Sequence, residues 1–305
     1  MSFDLYVDLA YQRRCPQDAN LPAGLASGFV DECTVWSAWG SDERREAREF
    51  YMRRVLSQDL YLPEELRLEP DFKALPNTSW IGFEIRFTFQ TPWYSKDDRP
   101  FHVLDNPVRK DRVFGVPFMP ASSWKGLLRW ACRIQAGLHE HLESQKGRLE
   151  GWRDPSWIIF LFGNEKGEES RFQRGALAFY PTWFSRIGFE VINPHSRARR
   201  AGVQPIYYEV VPAGTPGVLR FLYAPLPGVV EREEIDPVEA LEQLLCAAEQ
   251  LLTIYGISAK RTVGWGTAAI DEWKAYRKGS GEISGKERAD FWGKLWKWIS
   301  QGEGS

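Results

Sequence analysis

Between Trp80 and Gln90 the chain reads "WIGFEIRFTFQ". Its bulky apolar residues Ile81, Phe83, Ile85, Phe87 and Phe89 fall on every second position. Side chains alternate across a strand, so this spacing sets all five on one face, whereas a helix would scatter them. Such a face must be covered by a layer of helices or by a second sheet. The chain supplies helices. In "SSWKGLLRWACRI", Trp124, Leu127, Leu128, Ala131 and Ile134 keep helical spacing, and Ser122 and Ser123 are placed to cap the start. "DPVEALEQLLCAAEQLLTIYG" is clearer still. Asp236 is the N-cap, Pro237 the first helical residue, and Glu239 completes a capping box. Val238, Leu241, Leu244, Leu245, Ala248 and Leu252 form its buried stripe, and Gly256 ends it in a left-handed turn.

Three more strands follow from the pattern: "GALAFYPTWF", "GVLRFLYAPL" and "TAAIDEW". The order is β-α-β-β-α-β. The expected fold class is α+β, a ferredoxin-like (RRM-like) core with a helical N-terminal extension and inserted loops. Two helices cover one face of an antiparallel sheet. The other face is left to bind or to be covered by insertions. Residues 1–75 form the extension, with Ser41 capping "SDERREAREFYMRRVLSQ" and Ala47, Phe50, Tyr51 and Val55 at helical spacing. "LPEELRLEPDFKALPN" reads as a linker. Residues 76–275 hold the core. Residues 276–305 are a tail whose helix sets Ala289, Trp292, Trp296 and Ile299 along one side, to dock on its own domain or on a neighbouring subunit.

Of 305 residues, 43% are hydrophobic and 26% charged, which places the chain among folded proteins. The formal net charge of −2 does not announce a nucleic-acid binder, so such a function has to come from local clusters. The 14 tryptophans, 18 phenylalanines and 11 tyrosines suit a large core, stacking surfaces or subunit interfaces alike. Cys15, Cys33, Cys132 and Cys246 form no CxxC pair, which argues against a zinc cluster; Cys132 and Cys246 fall in helices as buried free thiols. The start "MSFDLYVDLAYQRR" does not read as a signal peptide, and no apolar run approaches the ~20 residues of a membrane span. The expected location is the cytoplasm.

Four clusters carry chemistry. Lys125, Arg129 and Arg133 lie four residues apart and share one helical stripe. With the helix start at Ser122 and Ser123 they make a phosphate-binding surface, or else a solvated basic face. "GISAKRTVGWG" combines Gly256, Gly264 and Gly266 with Lys260, Arg261 and Trp265: close backbone approach, cations and a stacking plane, or a loop that merely turns. It has no Walker spacing. "NPHSRARR" crowds Arg197, Arg199 and Arg200 beside His195. Asp97, Asp98 and Asp105, in the loop after the first strand, are carboxylates able to bind a metal or to assist a ribose 2′-OH, or simply solvated. HExxH and GxSxG are absent.

Taken in order, "PFMPASSWKGLLR", "LFG" and "GISAKRTVGWG" resemble the RAMP superfamily of CRISPR-associated proteins, over roughly residues 78–273. Members carry a Pro-Gly-Ser-Ser turn, a Lys-Gly pair, an arginine one helical turn on, and a glycine-rich loop near the C-terminus. Pro120, Ser122, Ser123, Lys125, Gly126 and Arg129 match this motif. Ala121 and Ser258 stand where glycine is usual. Within the superfamily, the helical preface, "LDNPVRKDRVFGVPFMPASSWKG" and "VINPHSRARR…PIYYEVVPAGTPGVLRFLY" are similar to the sixth-subunit family of the Cmr (type III-B) effector complex.

The resemblance implies a non-catalytic subunit that binds the guide (crRNA) near its 3′ region at the end of a filament. It implies as partners the crRNA and target RNA, other Cmr or RAMP subunits (backbone, small and terminal) and a Cas10-like large subunit. Lys125, Arg129, Arg133, Arg197, Arg199, Arg200, Lys260 and Arg261 would contact phosphate with Ser122 and Ser123, while His195 and Trp265 stack or position. No cofactor is implied. The rival is an endoribonuclease. In one form a backbone-type subunit cleaves target RNA with Mg²⁺ held by Asp97, Asp98 or Asp105. In the other, His195 is the base of a guide-processing enzyme. A third reading is an assembly protein that makes no RNA contact.

Overall fold

The computed structural model describes residues 40–57, 60, 69–97, 102–111, 115–164, 174–193, 195–196, 201–202, 205–225 and 235–300. The first described element, α1 (Ser41–Leu56), has Asp42 and Glu43 in its first turn and Arg53 and Arg54 in its last, the polarity a helix dipole favours. Ser41 is its first residue, not its cap as expected. Extended Gly40 holds the cap position without a side-chain bond. Ala47, Tyr51 and Val55 face inward and join the main core, with Phe50 partly buried against it. A 3-10 turn at Phe72–Ala74 precedes the sheet.

β1 (Ile81–Phe89) keeps the expected alternation, and its five bulky residues are at most 3% exposed. Each such burial contributes roughly 1.5–3 kcal/mol, while ordering each backbone residue costs about 1–2 kcal/mol. A nine-residue strand therefore about breaks even alone and holds only inside a shared core. β2 (Phe118–Met119) leads into α2 (Ala121–Gln135), followed by α3 (Leu138–Ser144) and α4 (Ser156–Phe162). Then come β3 (Leu177–Phe179), β4 (Thr182–Trp183), β5 (Gly188–Ile192), β6 (His195–Ser196), β7 (Ala201–Gly202), β8 (Ile206–Val210) and β9 (Pro216–Tyr223). α5 (Pro237–Gln250), β10 (Ala268–Arg277), β11 (Gly281–Gly285) and α6 (Arg288–Ser300) complete the chain.

The main sheet is antiparallel in the order β11-β10-β1-β9-β3. The four expected strands alone stand in the order 4-1-3-2, that of a ferredoxin-like fold. β1 is thus central, with Ile81 opposite both Tyr223 and Arg277. Trp124, Leu128 and Ala131 of α2 and Leu241, Leu244 and Leu245 of α5 close over its apolar face in one cluster. Phe83 stacks on Phe221 of β9 at 4.8 Å. The opposite face carries a ladder of opposed charges. Glu84 lies across from Lys274 and Arg220, and Arg86 across from Glu272. Ion pairs run Glu69–Arg220–Glu84–Arg86–Glu272–Lys274.

Several elements differ from expectation. "GALAFYPTWF" is two strands: Pro181, which has no N–H to give a ladder, separates β3 from β4, and β4 pairs with β2. Ser122 and Ser123 lie inside α2; Pro120 is its N-cap, and no side chain caps the start. Asp236 does cap α5, accepting from Val238 N at 2.8 Å. α5 runs into a π-turn at Leu251–Tyr255, and Gly256 ends it at φ 74° and ψ 158°, positive φ but outside the left-handed helical region. The hairpin β10–β11 falls partly in the expected tail. α6 docks on its own domain through Phe291 and Leu295, with the expected Trp292 and Ile299 packed beside them; the expected Ala289 and Trp296 face solvent. Cys132 is a buried free thiol and Cys246 a half-buried one. Cys15 and Cys33 lie outside the described residues. No described helix is long and apolar enough to cross a membrane.

The Asp236 cap is a direct check on local stability. Asp236→Ala should cost about 1 kcal/mol and Asp236→Asn only a few tenths, read from the urea midpoint at constant slope.

Candidate nucleic-acid interface

α2 presents its first turns to solvent and buries its back. Trp124, Leu128, Ala131 and Cys132 pack inward, while Ser122, Lys125 and Gly126 are exposed. A Cβ on Gly126 would have no heavy atom within 4 Å. A glycine inside an exposed helix costs about 1 kcal/mol relative to alanine, and nothing in the fold compensates for it here. The basic stripe splits. Arg129 and Arg133 both bind Asp154, at 2.6 Å each, and are 13% and 18% exposed. They are neither a solvated face nor open phosphate ligands. Lys125 remains accessible, its pKa lowered by partial burial and by the charge of Arg129.

The glycine-rich loop closes on itself. Ile257 N donates to Gly266 O at 2.9 Å. Gly266 has φ 89°, and a Cβ there would overlap the backbone of Ser258; one on Gly256 would come within 2.7 Å of Trp265 O. These two glycines serve the loop's own neck. Ser258, at the position where glycine is usual in the motif, ties that neck to the segment after β1. Its Oγ accepts from Tyr94 N and donates to Tyr94 O, both at 3.0 Å, and Ala259 N donates to Tyr94 O at 2.8 Å. Trp93 Nε1 donates to Ile257 O at 3.0 Å.

Aromatic rings join this loop to its neighbours. The Arg261 guanidinium lies over the ring of Trp130, one turn beyond Gly126 on α2, at 4.3 Å. Burial lowers its pKa. Lys260 Nζ sits over Tyr208 of β8 at 4.9 Å. Trp265 is half-buried and makes a T-shaped contact with Tyr208 at 5.8 Å, so it is not a freely exposed ring. Tyr208 meets Tyr94 at 5.1 Å, and the Tyr94 hydroxyl is pushed up to about 12, chiefly by burial, then by Tyr208 and Glu209. The loop therefore bridges α2 on one side and the β5–β8 ribbon on the other. That ribbon leads to β6 and β7, paired at His195–Gly202 and Ser196–Ala201. The side chain of His195, and Arg197, Arg199 and Arg200, lie outside the described residues.

The acidic candidates are dispersed. Asp97 is buried, and Asp105 pairs with Arg48 of α1 at 3.1 Å; Asp98 lies outside the described residues. Among the described residues no group of three His, Cys, Asp or Glu is placed to hold a metal ion. The carboxylate that organises this region is Glu209, which the sequence did not single out. Lys110 Nζ donates to its two oxygens at 2.7 and 2.6 Å and to Tyr51 OH at 2.8 Å, while Tyr51 OH donates to Glu209 at 2.5 Å. Val108 N donates to the same carboxylate at 3.0 Å. α1, the loop after β1 and the ribbon are joined there, with both charged side chains at most 2% exposed. A groove of about 870 Å³ lies elsewhere, across one end of the sheet from β9 to β11 and against α6. Its walls mix Arg86, Lys286 and Lys294 with Asp271, Glu272, Glu287 and Asp290, which gives an anionic polymer no net attraction.

The ferredoxin-like core, the exposed Ser-x-x-Lys-Gly turn and the C-terminal glycine-rich loop occur in the order the sequence motifs set. A family model of the RAMP superfamily matches residues 86–269, more than half of the chain. The chain belongs to the RAMP superfamily. No curated protein matches it by sequence. Among solved structures, this RAMP chain is similar to one in "Cryo-EM structure of the Type III-B Cmr-beta bound to cognate target RNA", with a TM-score of 0.51 and 16% identity, covering 89% of this chain and 97% of that one. Another similar chain occurs in "Crystal structure of Csm3-Csm4 subcomplex in the type III-A CRISPR-Cas interference complex", with a TM-score of 0.42 and 16% identity, covering 73% and 98%. The RAMP match spans β1 to the start of β10 and so takes in both α2 and the glycine-rich loop.

Proposed function

We propose that this RAMP protein is a guide-RNA-binding subunit of a type III CRISPR interference complex, placed at the filament end near the crRNA 3′ region and non-catalytic. Its partners on this reading are the crRNA and target RNA, sibling RAMP subunits and a Cas10-like large subunit. One observation carries it. The exposed turn Ser122–Lys125–Gly126 and the glycine-rich loop form one basic and aromatic surface, joined by Arg261 on Trp130 and continued to the ribbon by Lys260 on Tyr208. Lysine grips phosphate without reading sequence, rings stack on any base, and the bare backbone at Gly126 admits a close approach. Base pairing with the guide, not this chain, then reads the target. The likeness to a chain of a complex bound to cognate target RNA supports the same ligand class.

The test is guide retention by the assembled complex across a salt series. Lys125→Ala and Lys260→Ala should each reduce the slope of log affinity against log salt by roughly 0.7, the value for one phosphate contact on a single strand. Gly126→Gln should raise helix stability by up to about 1 kcal/mol yet weaken guide binding, two effects of opposite sign. Unchanged retention in all three variants would remove the reading. So would cleavage of complementary RNA in Mg²⁺ that is lost in Asp97→Ala or Asp105→Ala while the complex still assembles.

A further inference from the structure

Asp154 receives an unusual number of donors. Arg129 gives Nε at 2.9 Å and Nη2 at 2.6 Å to Oδ2. Arg133 gives Nε to Oδ1 at 2.6 Å and Nη2 to Oδ2 at 2.8 Å. Trp152 Nε1 adds a bond to Oδ1 at 2.9 Å. A carboxylate offers about four lone-pair sites, so this one is saturated. Its side chain is 4% exposed. Two-pronged contact from a guanidinium fork is also how arginine holds a phosphate. Asp154 thus occupies the place a guide phosphate would need along this stripe. Lys125, a turn earlier, is exposed, and the charge acting on it is that of Arg129.

We propose that Asp154 is a positioning residue for guide binding. It commits Arg129 and Arg133 to the fold, pins the connection between α3 and α4 onto α2, and confines the phosphate grip of α2 to the turn bearing Ser122 and Lys125. This rests on the guide-binding reading above. Arg129, though it matches the superfamily motif, is on this account an internal counterion.

Asp154→Asn keeps the shape and removes the charge. In the assembled complex, guide affinity at low salt should rise, and the salt slope should steepen by roughly 0.7 for each arginine released. The triple variant Arg129→Gln, Arg133→Gln, Asp154→Asn removes the whole charge cluster and should retain guide within about twofold of wild type, with the slope unchanged. An unchanged slope in a folded Asp154→Asn protein overturns the proposal. A tenfold loss in the triple variant at an unchanged melting midpoint also overturns it, because the arginines would then be RNA ligands. Failure of the guide-binding reading looks different: wild type retains no guide, and Lys125→Ala changes nothing.

Discussion

Glu209→Gln should destabilise the protein by roughly 3–5 kcal/mol, the usual cost of leaving one member of a buried ion pair without its partner. Lys110 would keep its charge at 2% exposure without its carboxylate partner, beside Tyr51 and His102. The loss should appear in the urea midpoint and should loosen α1, because Tyr51 donates to the same carboxylate. The double change Lys110→Met, Glu209→Leu should recover most of it, since an apolar pair of similar volume needs no counterion. A single-variant cost under about 1 kcal/mol would mean that the site admits water. Burial alone would raise the Glu209 carboxyl, but the charges of Lys110 and His102 and the bonds from Lys110 and Tyr51 outweigh it and hold it below its ordinary value. A carboxylate depressed in the fold stabilises fully above its unfolded value of about 4.3, and that contribution fades as pH falls through the folded value. Wild type should therefore lose stability in acid, and Glu209→Gln should show a shallower acid limb.

Gly266→Val should cost roughly 2–6 kcal/mol, from the strain of positive φ on a β-branched residue together with overpacking against backbone. The added Cβ would overlap the backbone of Ser258. The neck cannot open without breaking Ile257 N to Gly266 O and disturbing the ties of Ser258 to Tyr94. Gly266 lies two residues before β10, and Ile257 belongs to the main core, so the loss should appear in the melting midpoint. Guide retention should fall with it, because Lys260 and Arg261 are carried on the neck. Gly264→Ala is the control. A Cβ on Gly264 meets nothing within 4 Å, so at φ 83° only backbone strain remains, about 1–3 kcal/mol.

The period-two run of β1, the capped α5 and the order of elements were legible because local residues dictate them. The sheet order is that of the ferredoxin-like arrangement which this order of elements forms. β11 was not legible: "GEISG" is short, flanked by glycines and exposed along most of its length, so it has no alternation to read. The split of "GALAFYPTWF" was signalled by Pro181 and missed. The site was only half legible. Charges at i, i+4 and i+8 are visible in a sequence, but a carboxylate at Asp154 that claims two of them is separated by 21 and 25 positions. The same holds for Glu209 and Lys110, 99 positions apart. Long-range pairing of charges leaves no local pattern.

The ladder on the second face of the sheet has a consequence at a distance. Its six charges are three of each sign, five of them side by side on neighbouring strands and Glu69 from the segment before β1. Such an array has no monopole, and its field dies away within about one Debye length. A polyanion drifting toward the molecule gains nothing from turning toward that face. On the guide-binding reading, the ladder therefore leaves the orientation of an approaching polyanion to charges elsewhere on the molecule.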